Sequence, residues 1–217
     1  MYDQKASIQQ TIEGIEGIEY LTNGLYGEYF EEFLTQRMYH FSDEVVDKTV
    51  TLRTEWAIDA NSPKSLAMEK QVAELLQIPH RHYDKQIVHI PVLDQTEIES
   101  VNAIYEVTQN LLRAKKVDSL VVYRGFGWNE RPEWWGDVHA GMLLPINDYR
   151  TLSSWSFSKT VAESFVSQRR YGIVVKGIIH ANRIFAIING ENLEYESVCI
   201  NEIEQSGFEI TSKHGGE

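Results

Sequence analysis

Ser119-Leu120-Val121-Val122-Tyr123-Arg124-Gly125 is the stretch on which the reading of this chain turns. Its apolar, β-branched run predicts a strand over 119–123, closed by an arginine and a glycine. The sequence before it has another texture. Tyr26, Tyr29, Phe30, Phe33 and Leu34, then Met38 and Phe41, recur at intervals of three and four, as on an amphipathic helix. A second helix is predicted over 66–76, entered after Ser62-Pro63 and left at Ile78-Pro79. A third is predicted over 96–115, with Thr96 and Glu99 as a capping box and a buried stripe of Ile98, Val101, Tyr105, Thr108 and Leu112. Beyond residue 117 come further predicted strands over 172–179, 183–188, 197–200 and 208–212, interrupted by one helix over 160–168. The expectation is an α+β chain, helical in its N-terminal half and strand-rich in its C-terminal half. A helical lobe over residues 1–90 should pack on a core of 91–217, since no Gly/Ser/Pro-rich linker breaks residues 80–120.

Composition narrows the function. Net charge is −12, divided as −9 over residues 1–119 and −3 over 120–217. An acidic field opposes tight binding of DNA or RNA, which depends on neutralising phosphates. A small dianionic ligand held by a few arginines of the second half is still allowed. The single cysteine, Cys199, permits neither an intrachain disulfide nor a cysteine-based zinc site. His80, His82 and His89 lack metal-ligand spacing, and no metal is expected. The polar start has no apolar export segment and no run is long enough to cross a bilayer, so a cytoplasmic protein without membrane contact is expected.

Three local features carry chemistry. Arg124 stands at the end of an apolar strand, where a guanidinium is costly unless an anion meets it. Its planar fork suits a pyrophosphate, and Gly125 beside it would let a ligand approach the backbone; a structural ion pair is the plainer reading. Ser153-Ser154-Trp155-Ser156-Phe157-Ser158 reads as a short strand leading into a helix. Ser156 and Ser158 would share a face of that strand, although Ser158 or Thr160 also suits a helix cap. Glu194-Tyr195-Glu196 precedes the apolar run Val198-Cys199-Ile200, and its two glutamates would face the same way if extended; alone, it reads better as a solvated turn.

Order and interval make these features more specific together than apart. From Arg124 to Ser156 is 32 residues and from Ser156 to Glu196 is 40. Tyr-Arg-Gly, then aromatic-Ser-x-Ser, then Glu-x-Glu before an apolar strand resembles the arginine-serine-glutamate (cholera-toxin-like) class of mono-ADP-ribosyltransferases. The resemblance covers about residues 119–212, departs from the class at Phe157 and Ser197, and leaves residues 1–90 unmatched. Small size and the helical leader are similar to bacteriophage transferases that modify host proteins.

The resemblance implies two small β-sheets set across one another with NAD, the substrate, in the cleft between them. Arg124 would hold the phosphates, Gly125 would lie against the cofactor, and Ser156, with Ser158 nearby, would support Glu196 and the nicotinamide ribose. Glu196 would be the catalytic carboxylate and Glu194 would orient the acceptor, an arginine of a target protein. A loop after the Ser-x-Ser helix would bring Arg169, Arg170 and Tyr171 to the cofactor. The same chemistry with water or a nucleic acid as acceptor, and a degenerate fold that only binds protein, are the competing expectations. Trp128, Trp134 and Trp135 suit partner recognition or packing over the sheet edge. Glu202 and Glu204 are expected on a turn.

Overall fold

The structure is a computed structural model describing residues 38, 40–81, 89–114, 116–144, 150–188, 196–201 and 208–215. The expected helix through Tyr26 to Leu34, together with Glu194, His82, Glu202 and Glu204, lies outside the described residues.

Among the described residues the chain is α+β, with four α-helices and one antiparallel sheet. Helix α1 (Asp43–Ile58) starts at Ser42, whose hydroxyl accepts the Val45 N–H, and its first turn carries Asp43 and Glu44 against the positive end of the helix dipole. It buries Val45, Thr49, Leu52, Arg53 and Trp56. Helix α2 (Pro63–Leu76) is capped by Ser62 with proline in its first turn, and stops at Gln77 in a left-handed conformation. Helix α3 (Gln95–Ala114) has its capping box two residues earlier than predicted. Asp94 Oδ1 accepts the Glu97 N–H at 2.8 Å and Glu97 Oε2 accepts the Asp94 N–H at 3.0 Å. The Thr96 hydroxyl points instead to Glu44, 3.5 Å away. The buried stripe also takes in Ala103, Ile104, Val107 and Leu111, while Ile98 and Tyr105 are only half-buried.

The strands are β1 (Ser119–Trp128), β2 (Leu143–Leu144), β3 (Leu152–Ser156), β4 (Tyr171–His180), β5 (Ile184–Ile188), β6 (Glu196–Ile200) and β7 (Phe208–His214). Helix α4 (Lys159–Ser167) joins β3 to β4. Strand order is β2-β7-β4-β1-β3-β6-β5, with every pair antiparallel. Where two sheets were expected, hydrogen bonds link all seven strands into one. The link at the middle is thin: β1 pairs with β4 over ten positions but with β3 only through Tyr123 opposite Ser156.

The core forms two clusters. One cluster joins α1, α2 and α3 to the β3-β6-β5 half through Leu52, Trp56, Met68, Val101, Leu152, Phe185 and Val198. The other fills the β1-β4-β7 half and the underside of α4 with Val122, Val174, Val166 and Phe208, and crosses the seam to Trp155 on β3, Ile187 on β5 and Val107 and Leu111 of α3. Arg53 ties α1 to β5 by donating to the Ile187 carbonyl at 3.1 Å.

Candidate active site

Strand register brings the expected residues together. Ser156 stands opposite both Tyr123 on β1 and Glu196 on β6, so the three share one face of the sheet. Past the Tyr123–Ser156 pair, β1 and β3 part. Arg124 and Trp155, which would come next in an unbroken ladder, are not paired. A cavity of about 290 Å³ opens in this fork. Tyr123, Arg124 and Gly125 line one side of it, Ser154, Trp155 and Ser156 the other, and Glu196 and Trp56 also reach it.

Each side chain is set by its element. Glu196 begins β6 and is buried, at 6% exposure. Its Oε1 accepts the Trp56 indole N–H at 3.2 Å, and the same N–H reaches the Ser154 hydroxyl at 3.1 Å. Ser156 Oγ accepts the Ser158 N–H at 3.0 Å, a short turn that ends β3 and starts α4. The Arg124 guanidinium lies over the rings of Phe126, at 5.1 Å, and Trp155, at 5.7 Å. Two aromatic faces hold this guanidinium in place. Trp155 is itself stacked on Phe208 and donates to Ser153, so this platform is part of the core.

Cys199, one turn of the pleat beyond Ser197, senses both charges. Burial pushes its thiol up to about 12, while the Ser197 hydroxyl and Arg124 pull downward and Glu196 pushes upward. It is a core residue with no nucleophilic character.

Other expected residues have different positions. The space that a side chain at Gly125 would need is taken by the Ala162 carbonyl and Val166 of α4, so this glycine admits a helix rather than a ligand on that side. Ser158 lies beyond β3, and its hydroxyl caps α4 by accepting the Val161 N–H at 3.3 Å. Arg169 covers Gly127, and Tyr171 is buried at the start of β4, edge-on to Trp135 at 5.2 Å. None of Ser158, Arg169, Arg170 and Tyr171 lines the cavity, and Arg170 lies over the Tyr171 ring. Phe157 and Ser197, the departures from the family pattern, are both buried core positions.

Trp56 is the site residue that sequence reading missed. It sits in a stretch rich in β-branched Val45, Val46, Thr49, Val50 and Thr51, which mutes the helical signal. The Val45, Thr49, Leu52, Trp56 spacing and the Ser42 cap were the available clues. Trp128, the last residue of β1, meets Trp134 edge-on at 5.1 Å, and with Phe126 and Met142 they line an apolar groove of about 450 Å³. Arg81 is tied into the fold by its bonds with Thr151 and Asn201. Among the described residues no group of His, Cys, Asp and Glu could hold a metal ion, and no helix is long and apolar enough to cross a membrane.

Compared with family models, with curated proteins and with solved structures, the chain finds no match.

Proposed function

We propose that this protein is a mono-ADP-ribosyltransferase that splits NAD at the nicotinamide–ribose bond and passes ADP-ribose to an arginine of a target protein. The observation that carries this reading is the convergence of Arg124, Ser156 and Glu196, from three separate strands, on one cavity. Nothing in their sequence separation requires a meeting; the antiparallel register pairs Ser156 with Glu196 and with Tyr123, the neighbour of Arg124, at the point where β1 and β3 part.

The chemistry suits the arrangement. A cavity of about 290 Å³ takes the nicotinamide riboside end of the dinucleotide, with the diphosphate at the guanidinium of Arg124. The halves β2-β7-β4-β1 and β3-β6-β5 act as the two sheets of the class, with NAD entering where they part. The C1′–N bond breaks with its electron pair leaving on nicotinamide, which becomes neutral, so departure needs no acid. Positive charge develops on the ribose, and Glu196 opposes it at short range, as a glycosidase carboxylate does. Ser156, across the strand pair, keeps that carboxylate on the ribose side. A guanidinium nitrogen of the acceptor then bonds to C1′ and gives one proton to Glu194. That residue pairs with the acceptor through two parallel hydrogen bonds.

The test is transfer to a small guanidine such as arginine methyl ester, with the ratio of ADP-ribosyl product to free ADP-ribose measured for wild type and Glu194→Ala. Loss of transfer with retained hydrolysis of NAD supports an arginine acceptor. Equal loss of both products would remove Glu194 from the acceptor side, and transfer to water alone would make the protein a glycohydrolase.

A further inference from the structure

The helical front half, which carries none of the three motifs, reaches the candidate site through Trp56, with Ala57 and Ala60 also lining the cavity. Trp56 is 2% exposed, lines the cavity and donates its indole N–H to Glu196. We infer that Trp56 is a positioning residue for the Glu196 carboxylate and that α1 and α2 are a built-in part of the active site. The inference rests on the transferase reading of the cavity.

The case begins with Glu196. One of its oxygens is fixed by the indole donor, and a rigid two-torsion side chain buried in the core gives that donor a defined direction. The same N–H is shared with Ser154 on the neighbouring strand, so the ring is registered against β3 and β6 together. Behind the ring stands Arg150, 4% exposed, with its guanidinium 5.4 Å from the indole centroid. A cation on the face of an indole holds the ring in orientation and draws electron density from it, which strengthens the N–H as a donor.

Arg150 is in turn set by the α1–α2 junction and by α2. It donates to the Ala60 carbonyl at 2.8 Å, to Asn61 Oδ1 at 3.1 Å, and to Glu69 Oε2 at 3.2 Å. Glu69 is wholly buried and its other oxygen accepts the Leu152 N–H at 2.9 Å, returning the chain of contacts to β3. Burying a glutamate and an arginine is costly for a residue pair that serves packing alone. Here the pair fixes the ring that fixes the carboxylate. The front half therefore sets where the negative charge sits relative to the ribose, whereas Arg124 on the far side of the fork sets where the diphosphate sits.

The experiment combines kinetics with a spectroscopic readout on the full chain. Trp56→Phe keeps the ring in the core and removes the donor, so nicotinamide release should lose about 10-fold or more in kcat, as expected for a hydrogen bond to a charged group. NAD affinity should change by less than about 2-fold, because diphosphate binding is assigned to Arg124. In ¹H–¹⁵N spectra with the five indole N–H signals assigned through bonds, Glu196→Gln should move the Trp56 signal further than the other four. An active wild type matched in kcat by a folded Trp56→Phe would overturn the inference, as would a Trp56 signal indifferent to Glu196→Gln. A wild type that releases no nicotinamide would instead overturn the transferase reading, while the spectra still decide whether Trp56 holds the carboxylate. If Trp56→Phe fails to fold, the spectral comparison decides, since it leaves the indole in place.

Discussion

Ser156 and Glu196 are register partners on adjacent antiparallel strands, so two residues 40 apart in the chain are held on one face by the backbone ladder. Arg124 joins them across the seam where β1 and β3 share a single pair. The site thus lies at the weakest hydrogen-bonded point of the sheet, where the strands already part and a ligand need break no ladder.

Arg124→Lys should weaken NAD binding and slow turnover together. Lysine keeps the charge but loses the planar fork and most of its stacking on Phe126 and Trp155. Titration of NAD by calorimetry checks this; unchanged affinity would leave Arg124 as a structural cation on an aromatic platform.

Gly125→Ala should destabilise the fold even without ligand. Its methyl group would meet the Ala162 carbonyl, a backbone atom that can move only with α4. A cost of about 1–3 kcal/mol in urea unfolding is expected for such overpacking. Unchanged stability with lost NAD affinity would restore the simpler idea that this glycine clears space for the cofactor.

Burial of Glu69 beside Arg150 gives a pH dependence of a definite expected sign. Burial raises the Glu69 carboxyl above its ordinary 4.5, and the attraction of Arg150 offsets only part of that. The folded chain therefore holds this proton more tightly than the unfolded chain. The contribution to stability is fully present below about 4.5 and is lost as pH rises through the folded value. Glutamine mimics the protonated acid, so Glu69→Gln and wild type should be of similar stability at about pH 4, with the wild type falling relative to the variant as pH rises. Urea midpoints across that range check the sign. A wild type that gains on the variant with rising pH would mean that Arg150 outweighs burial.

Much of this architecture was legible in the sequence because β-branched runs and caps act locally. The strands carrying Arg124, Ser156 and Glu196 are marked by Val121-Val122, by the serine run and by Val198-Cys199-Ile200, and helix α4 by Ser158. The roles of Gly125 and Ser158 were harder to read. Whether a glycine admits a ligand or a helix, and whether a hydroxyl faces a cofactor or caps a helix, depends on what folds back against it. Tyr171 illustrates the same limit: a tyrosine in a loop-like run turned out to begin β4 and meet Trp135, 36 residues earlier, edge-on. Trp56 lay furthest from view, because its helix has a β-branched sequence and its partner carboxylate is 140 residues away. The single joined sheet was equally illegible, since one bridging pair, Tyr123 with Ser156, decides between one sheet and two.

The central claim is that Glu196 opposes positive charge developing on the ribose of NAD, and nicotinamide release by wild type and Glu196→Gln, side by side, tests it most directly. Glutamine keeps the volume and can still accept from Trp56, so melting temperature should change little while release falls by about 10²-fold or more. A folded Glu196→Gln that releases nicotinamide at the wild-type rate, or a wild type that releases none, would contradict the account.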